Sequence, residues 1–248
     1  MGGTASGRAL KARLDNLPGL RFDEAVYKLA AAVLLLPLAA VAQHRVDYQI
    51  AGFAPASALA AVITFSDGDI DDLAWAEAAI LDGEKQDRLE PELRETLRFD
   101  RSQQPDDGVE AVRQVREKVA ARLEERRAAL KLGPWQEGTK LQVDAQGNAA
   151  LDGRSLGRIR IAARQRKAQN EDDLTPPGWL NLSWVPAGGG PAVRLYDSGR
   201  WKEHSHASWT IAEARMFGRV LLVVLRCVHS GIHGPPTSDI YRFAARLP

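Results

Sequence analysis

Apolar residues recur at three- and four-residue intervals in one long stretch of this chain and at two-residue intervals in several others. Val112, Val115, Val119 and Leu123 form the helical stripe, because 3.6 residues per turn bring such positions onto one face. The spacing predicts a helix over 109–132, capped by Asp106 or Asp107 and stopped at Gly133-Pro134. Glu124, Glu125, Arg126 and Arg127 are read as its solvated face.

Beyond residue 138 the period changes to two. Lys140–Asp144 and Asn148–Leu151 read as a hairpin, with Asp152-Gly153 as the next turn. Arg158-Ile159-Arg160-Ile161 sends isoleucines to one face and arginines to the other. Trp179 to Val185 is a strand with Leu180, Leu182 and Trp184 on one face, and residues 192–196 follow after Gly188-Gly189-Gly190-Pro191. Thr210-x-x-Glu213 has the form of a capping box, which predicts a short helix over 210–217. Gly218 ends it, and the valine-rich run Arg219 to Val228 is a buried strand.

The front of the chain reads as helical. Ser6 caps a helix through about Leu14, and a buried helix starts near Asp23 and is interrupted at Pro37. Its uncharged core, Leu29 to Ala42, is 14 residues long, short of the ~20 that span a bilayer. Ala56 to Phe65 fits helix or strand. The acidic run Ser66 to Asp72 lacks the Gly at position 72 and the Glu at position 78 of a calcium loop. It is read instead as the N-terminus of a helix through Leu81, with a further helix over Pro91–Phe99. The fold expectation is therefore α+β: a mainly helical N-terminal part, 1–132, followed by a mixed β-rich domain, 138–248.

Composition narrows the function classes only slightly. A chain of 248 residues with 45% hydrophobic content can bury a core without staples. A net charge of +1 advertises no global field. The charge is uneven, however: residues 133–248 carry 15 Lys and Arg against 10 Asp and Glu, a net of +5. The single cysteine, Cys227, excludes an internal disulfide and suits a reducing cytoplasm. It lies within an apolar run, where a buried, inert thiol is expected.

Candidate chemistry gathers in two places. If residues 157–167 stay extended, Arg158, Arg160, Arg164 and Arg166 point to one face. With Arg200 they would contact phosphates, and Trp179, Trp184 and Trp201 offer stacking surfaces. The competing explanation is an edge strand protected by charge. The second group is His204, His206, His229 and His233, with Asp239. His229 and His233 have the four-residue spacing of a zinc helix, but Gly231, Gly234, Pro235 and Pro236 oppose a helix there. No metal or cofactor is assigned. The glycine triplet lacks the Gly-Lys-Ser/Thr ending of a phosphate loop.

The leading expectation is a non-enzymatic binding or assembly subunit of a soluble complex in the cytoplasm, with no membrane span. Its basic C-terminal face would contact nucleic acid or another phosphorylated ligand, and other protein subunits are further candidate partners. The first alternative is a histidine- or metal-dependent phosphodiesterase or nuclease, with the four histidines, Asp239 and Arg200 as acid, base and charge stabiliser. That reading requires the two histidine pairs to converge. The second alternative is a secreted domain released at the small-x-small sequence Ala40-Val41-Ala42.

Overall fold

The computed structural model describes residues 46–66, 73–99, 107–165, 178–198, 208–229 and 237–248. They form three antiparallel sheets and one helix, stacked in layers. The first sheet is β1 (Asp47–Phe53), β2 (Leu59–Ser66), β3 (Leu73–Asp82) and β4 (Asp87–Arg98), in that order. Helix α1 (Asp107–Ala129) covers one of its faces. The middle sheet has the order β13-β12-β11-β5, built from Thr237–Arg246, Val220–His229, Ser208–Phe217 and Thr139–Lys140. The outer sheet has the order β10-β9-β8-β7-β6, built from Val193–Asp197, Gly178–Pro186, Arg154–Gln165, Asn148–Leu151 and Gln142–Val143.

The α+β expectation with a mainly helical front is overturned. The described residues within 47–98 are strands and turns, and α1 is the only helix among the described residues. The segment expected as a helix through Leu81 is β3. Its Ala74, Ala76 and Ala78 lie under α1 against Ala111, Val115, Val119 and Leu123. Small side chains at alternate positions let the helix approach the sheet, and tertiary packing outweighs alanine's helix propensity. Residues 91–98 of the helix expected over Pro91–Phe99 belong to β4. Pro91 falls where the β3–β4 register shifts, between the pairs Ala78↔Leu93 and Ile80↔Leu89. An edge strand tolerates a proline at such an irregularity because no ladder N–H is required there. Of the run Ala56–Phe65, residues 59–65 lie in strand β2 and the first three in the turn before it. The helices expected over 6–14 and from Asp23, the Leu29–Ala42 segment and the acidic residues 67–72 lie outside the described residues.

Residues 210–217, expected as a capped helix, are part of strand β11. It pairs with β12 from Ser208↔Val228 to Phe217↔Val220, leaving Gly218-Arg219 as a two-residue turn. Gly218 has φ 58°, at the position where a type II′ hairpin turn places a glycine. Glu213 does not reach back to an N-cap. It accepts hydrogen bonds from Tyr48 Oη at 3.2 Å and Arg215 Nε at 2.5 Å.

The helix expected over 109–132 is present, and it ends at Ala129, before Leu132 and Gly133-Pro134. α1 buries Val115, Val119 and Leu123, and Val112 packs beside them. Its end is closed by Lys131 at φ 55°. Lys131 N–H donates to the Ala128 carbonyl, and Leu132 N–H to that of Arg127, which satisfies two carbonyls the helix would leave open. β9 buries Leu180, Leu182 and Trp184. β12 is the central strand of the stack. Val220 and Leu222 pack against Phe53, Ala60, Val62 and Leu81 of the first sheet. Leu221, Val223 and Leu225 pack against Ile159, Leu182, Trp184 and Leu195 of the outer sheet. Burying each such side chain stabilises by roughly 1.5–3 kcal/mol.

Towards the β13 end the first and middle sheets meet through charges. Arg242 donates to Thr64 Oγ1 at 2.7 Å and pairs with Glu77, with Glu92 3.6 Å away. Arg226 donates to Asp47 Oδ1 and to the Val46 carbonyl. Burial, followed by the neighbouring Glu213, pushes the Tyr48 hydroxyl up to about 12, so Tyr48 stays a hydrogen-bond donor at neutral pH.

Cys227 is fully buried in β12. Burial and, after it, the charge of Asp239 push its thiol up to about 12. A thiol reagent at pH 8 is expected to leave the native protein unlabelled and to modify one cysteine in denaturant. Rapid labelling of native protein would overturn this.

Candidate anion-binding face

The outer sheet packs its inner face on the middle sheet, so its alternate residues face away. β8 carries the candidate arginines because its two-residue period is driven by that one-sided burial: Ile159 is buried, while Arg158, Arg160 and Arg164 are exposed. The register puts neighbours from β9 on the same face. Arg158 lies opposite Val185, Arg160 opposite Ser183, Ala162 opposite Asn181 and Arg164 opposite Trp179. β10 adds Arg194, opposite Ser183, and Asp197, opposite Asn181. No described element packs over this face.

Two glycines hold β8 in place. Gly147 has φ 83°, and its carbonyl accepts from Ile159 N–H at 2.8 Å. A Cβ on Gly147 would stand 2.1 Å from the Ile159 carbonyl oxygen. Gly157 lies under the Trp184 ring, whose carbons would be 2.5 Å from an added Cβ. The turn before Gly147 is organised by Asp144, which accepts from the backbone N–H of Gln146 and Asn148 and from the Asn148 amide. The Asn148 amide and then its backbone N–H hold the Asp144 carboxyl below its usual range.

The arginines are engaged to different degrees. Arg158 Nε donates to the Gln146 carbonyl at 2.9 Å. The Arg164 guanidinium carbon lies 5.9 Å from the centre of the Trp179 ring, in cation–π range. Arg160 has no hydrogen-bond or ion-pair partner among the described residues. Trp179 Nε1 donates to Asp197 Oδ1 at 3.2 Å, and Arg194 lies 3.6 Å from the other oxygen of Asp197. Arg166 and Arg200 lie outside the described residues, although Ser198, two residues before Arg200, is tied to Leu180: its N–H donates to the Leu180 carbonyl, and its hydroxyl accepts from Leu180 N–H.

Edge protection accounts for only part of this row. β7 pairs with β8 over Arg154–Arg158 and β9 pairs with it along its length, so Arg158 sits on an internal strand. Beyond Ile159 only β9 pairs with β8 among the described strands. Arg194, Asn181 and Ser183 escaped the sequence reading. Their alternation within β9 and β10 was the available signal, but only the pairing register brings them beside the arginines.

The histidines stand differently. The helix-then-strand arrangement on which their shared site was argued is replaced by the β11–β12 hairpin. β11 begins opposite Val228, and His229 pairs with Thr237 of β13. His204, His206, His233 and the side chain of His229 lie outside the described residues. Asp239 lies in β13 opposite Cys227, facing the interior of the stack. Among the described residues no group of three or more His, Cys, Asp or Glu side chains is arranged to hold a metal ion. No described helix is long and apolar enough to cross a membrane.

No protein-family model, curated protein or solved structure matches the chain.

Proposed function

We propose that the protein is a non-enzymatic binding subunit whose basic outer-sheet face takes nucleic acid or another phosphorylated polymer. The observation supporting this reading is the row Arg158, Arg160 and Arg164 on one exposed face of β8, with Trp179 and Arg194 beside it. Residues 158 to 164 extend over about 20 Å at 3.4 Å per residue, long enough to meet several successive phosphates. Cations on such a face release counterions when they meet a polyanion, and this drives binding at low salt.

The test is fluorescence anisotropy of a labelled oligonucleotide, titrated at several salt concentrations with wild type and with the R158E/R160E double variant. Hydrogen bonds to charged groups contribute about 1.5–3 kcal/mol each, so the loss of two is expected to weaken binding by at least about 100-fold. The slope of log affinity against log salt should shrink by about 0.7 per lost contact on a single strand and by about 0.9 on a duplex. Equal binding by both proteins, or no binding by wild type at low salt, would reject the proposal.

A further inference from the structure

We infer that the polymer taken by the outer-sheet face is single-stranded, with a base seated between Trp179 and the Asn181–Ser183 stretch of β9. The inference rests on the proposed polyanion role of this face and adds the form of the ligand.

Shape supplies the first argument. The major groove of duplex DNA is about 12 Å wide and admits a helix or a two-stranded ribbon. The outer sheet has five strands. At about 4.8 Å per spacing they extend roughly 19 Å, so the sheet face cannot enter the groove. Against a duplex it would touch only the outermost phosphates. A single strand, in contrast, can lay its backbone along the sheet and turn its bases onto it.

The second argument is the composition of the face. Between Arg160 and Arg164, position 162 is alanine, opposite Asn181. Ala162, Asn181 and Ser183 therefore form a floor of small or short polar side chains. Arg158 and Arg160 border it at one end, Arg164 and Trp179 at the other, and Arg194 across β9. No described residue hydrogen-bonds the side chains of Asn181 or Ser183. The Asn181 carboxamide has both a donor and an acceptor to offer a base edge. Trp179 is held by its indole N–H on Asp197 at 3.2 Å, with the Arg164 guanidinium 5.9 Å from the ring centre. A base can stack on the indole or on the guanidinium plane, and both accept any base because every base has a π-face.

The experiment uses the full chain and four probes: an oligothymidylate of about ten nucleotides, an oligouridylate of equal length, a duplex of equal length, and heparin. Wild type is expected to bind the single strands at least tenfold more tightly than the duplex. Trp179→Ala should weaken single-strand binding by about tenfold, the order of one lost base–aromatic stack, and leave heparin binding unchanged. Trp179→Phe should restore most of the loss, and it keeps the test valid should the alanine variant fold poorly. The two single-stranded probes separate RNA from DNA preference. If duplex and heparin bind as tightly as single strands and Trp179→Phe and Trp179→Ala match wild type, the single-strand inference is overturned while the polyanion reading stands. If none of the four binds at low salt, both fail.

Discussion

Gly147→Ala is expected to lower the melting temperature by about 10 °C. The residue sits at φ 83°, where a side chain costs roughly 1–2 kcal/mol. The added Cβ would also lie 2.1 Å from the Ile159 carbonyl oxygen. That oxygen belongs to strand backbone and cannot swing away as a flexible side chain would, so an overpacking cost of roughly 1–3 kcal/mol is added. The sum, about 2–5 kcal/mol, centres on about 10 °C at the 2–4 °C per kcal/mol typical of a domain this size. Gly153→Ala isolates the two effects. Gly153 also has positive φ, 76°, but an added Cβ there meets nothing within 4 Å. It should lose only the conformational part, a few degrees. Equal losses at the two positions would show that the contact with Ile159 contributes nothing.

Arg242→Ala is the second large effect. The Arg242 side chain is 10% exposed and lies between the first and middle sheets, held by Thr64 and Glu77 with Glu92 nearby. Its removal leaves the Glu77 carboxylate, 18% exposed, facing β13 without its cation. Breaking a buried pair from one side costs about 3–5 kcal/mol, and denaturant midpoints should fall accordingly. Replacing both partners, Arg242→Met with Glu77→Leu, should recover much of the loss because the more buried carboxylate goes with its cation, leaving Glu92, 22% exposed, as the carboxylate that loses Arg242. A double-mutant cycle measures the coupling. A loss below about 1 kcal/mol for Arg242→Ala would mean that solvent already screens the pair.

These two sites mark where sequence reading succeeds and where it stops. β8 and β9 each turn one face to the core and one to solvent, so isoleucine and arginine, or leucine and asparagine, alternate visibly. α1 covers one side of a sheet and shows its stripe for the same reason. The arginine row was legible because it depends only on that local period. Its companions Arg194, Asn181 and Ser183 were not, because a neighbour across a sheet is set by register and not by position along the chain.

The strands inside the stack conceal themselves. β3 meets α1 on one face and the middle sheet on the other, so its alternation is between alanines and residues such as Trp75 and Glu77, not between apolar and polar. Helix propensity then misleads. β11 places Glu213 and Arg215 in the layer between sheets, where Tyr48 and Glu137 satisfy them. A charge in that position contradicts the rule that polar means outward. Its Thr-x-x-Glu spacing coincides with a helix signal that the hairpin with β12 overrides.

By itself, the sequence determined α1, the hairpins around Gly147 and Asp152-Gly153, the one-sided strands β8 and β9, and the buried strand β12 with its inert cysteine. Each follows from short-range periodicity or turn chemistry. Only the tertiary structure decided that the front is a sheet, that β12 is enclosed on both faces, and that the arginines share their face with Trp179, Asn181 and Arg194. Those outcomes depend on which surfaces meet. Side chains far apart in the chain gain burial or a partner only when the layers stack, and no local pattern encodes that gain.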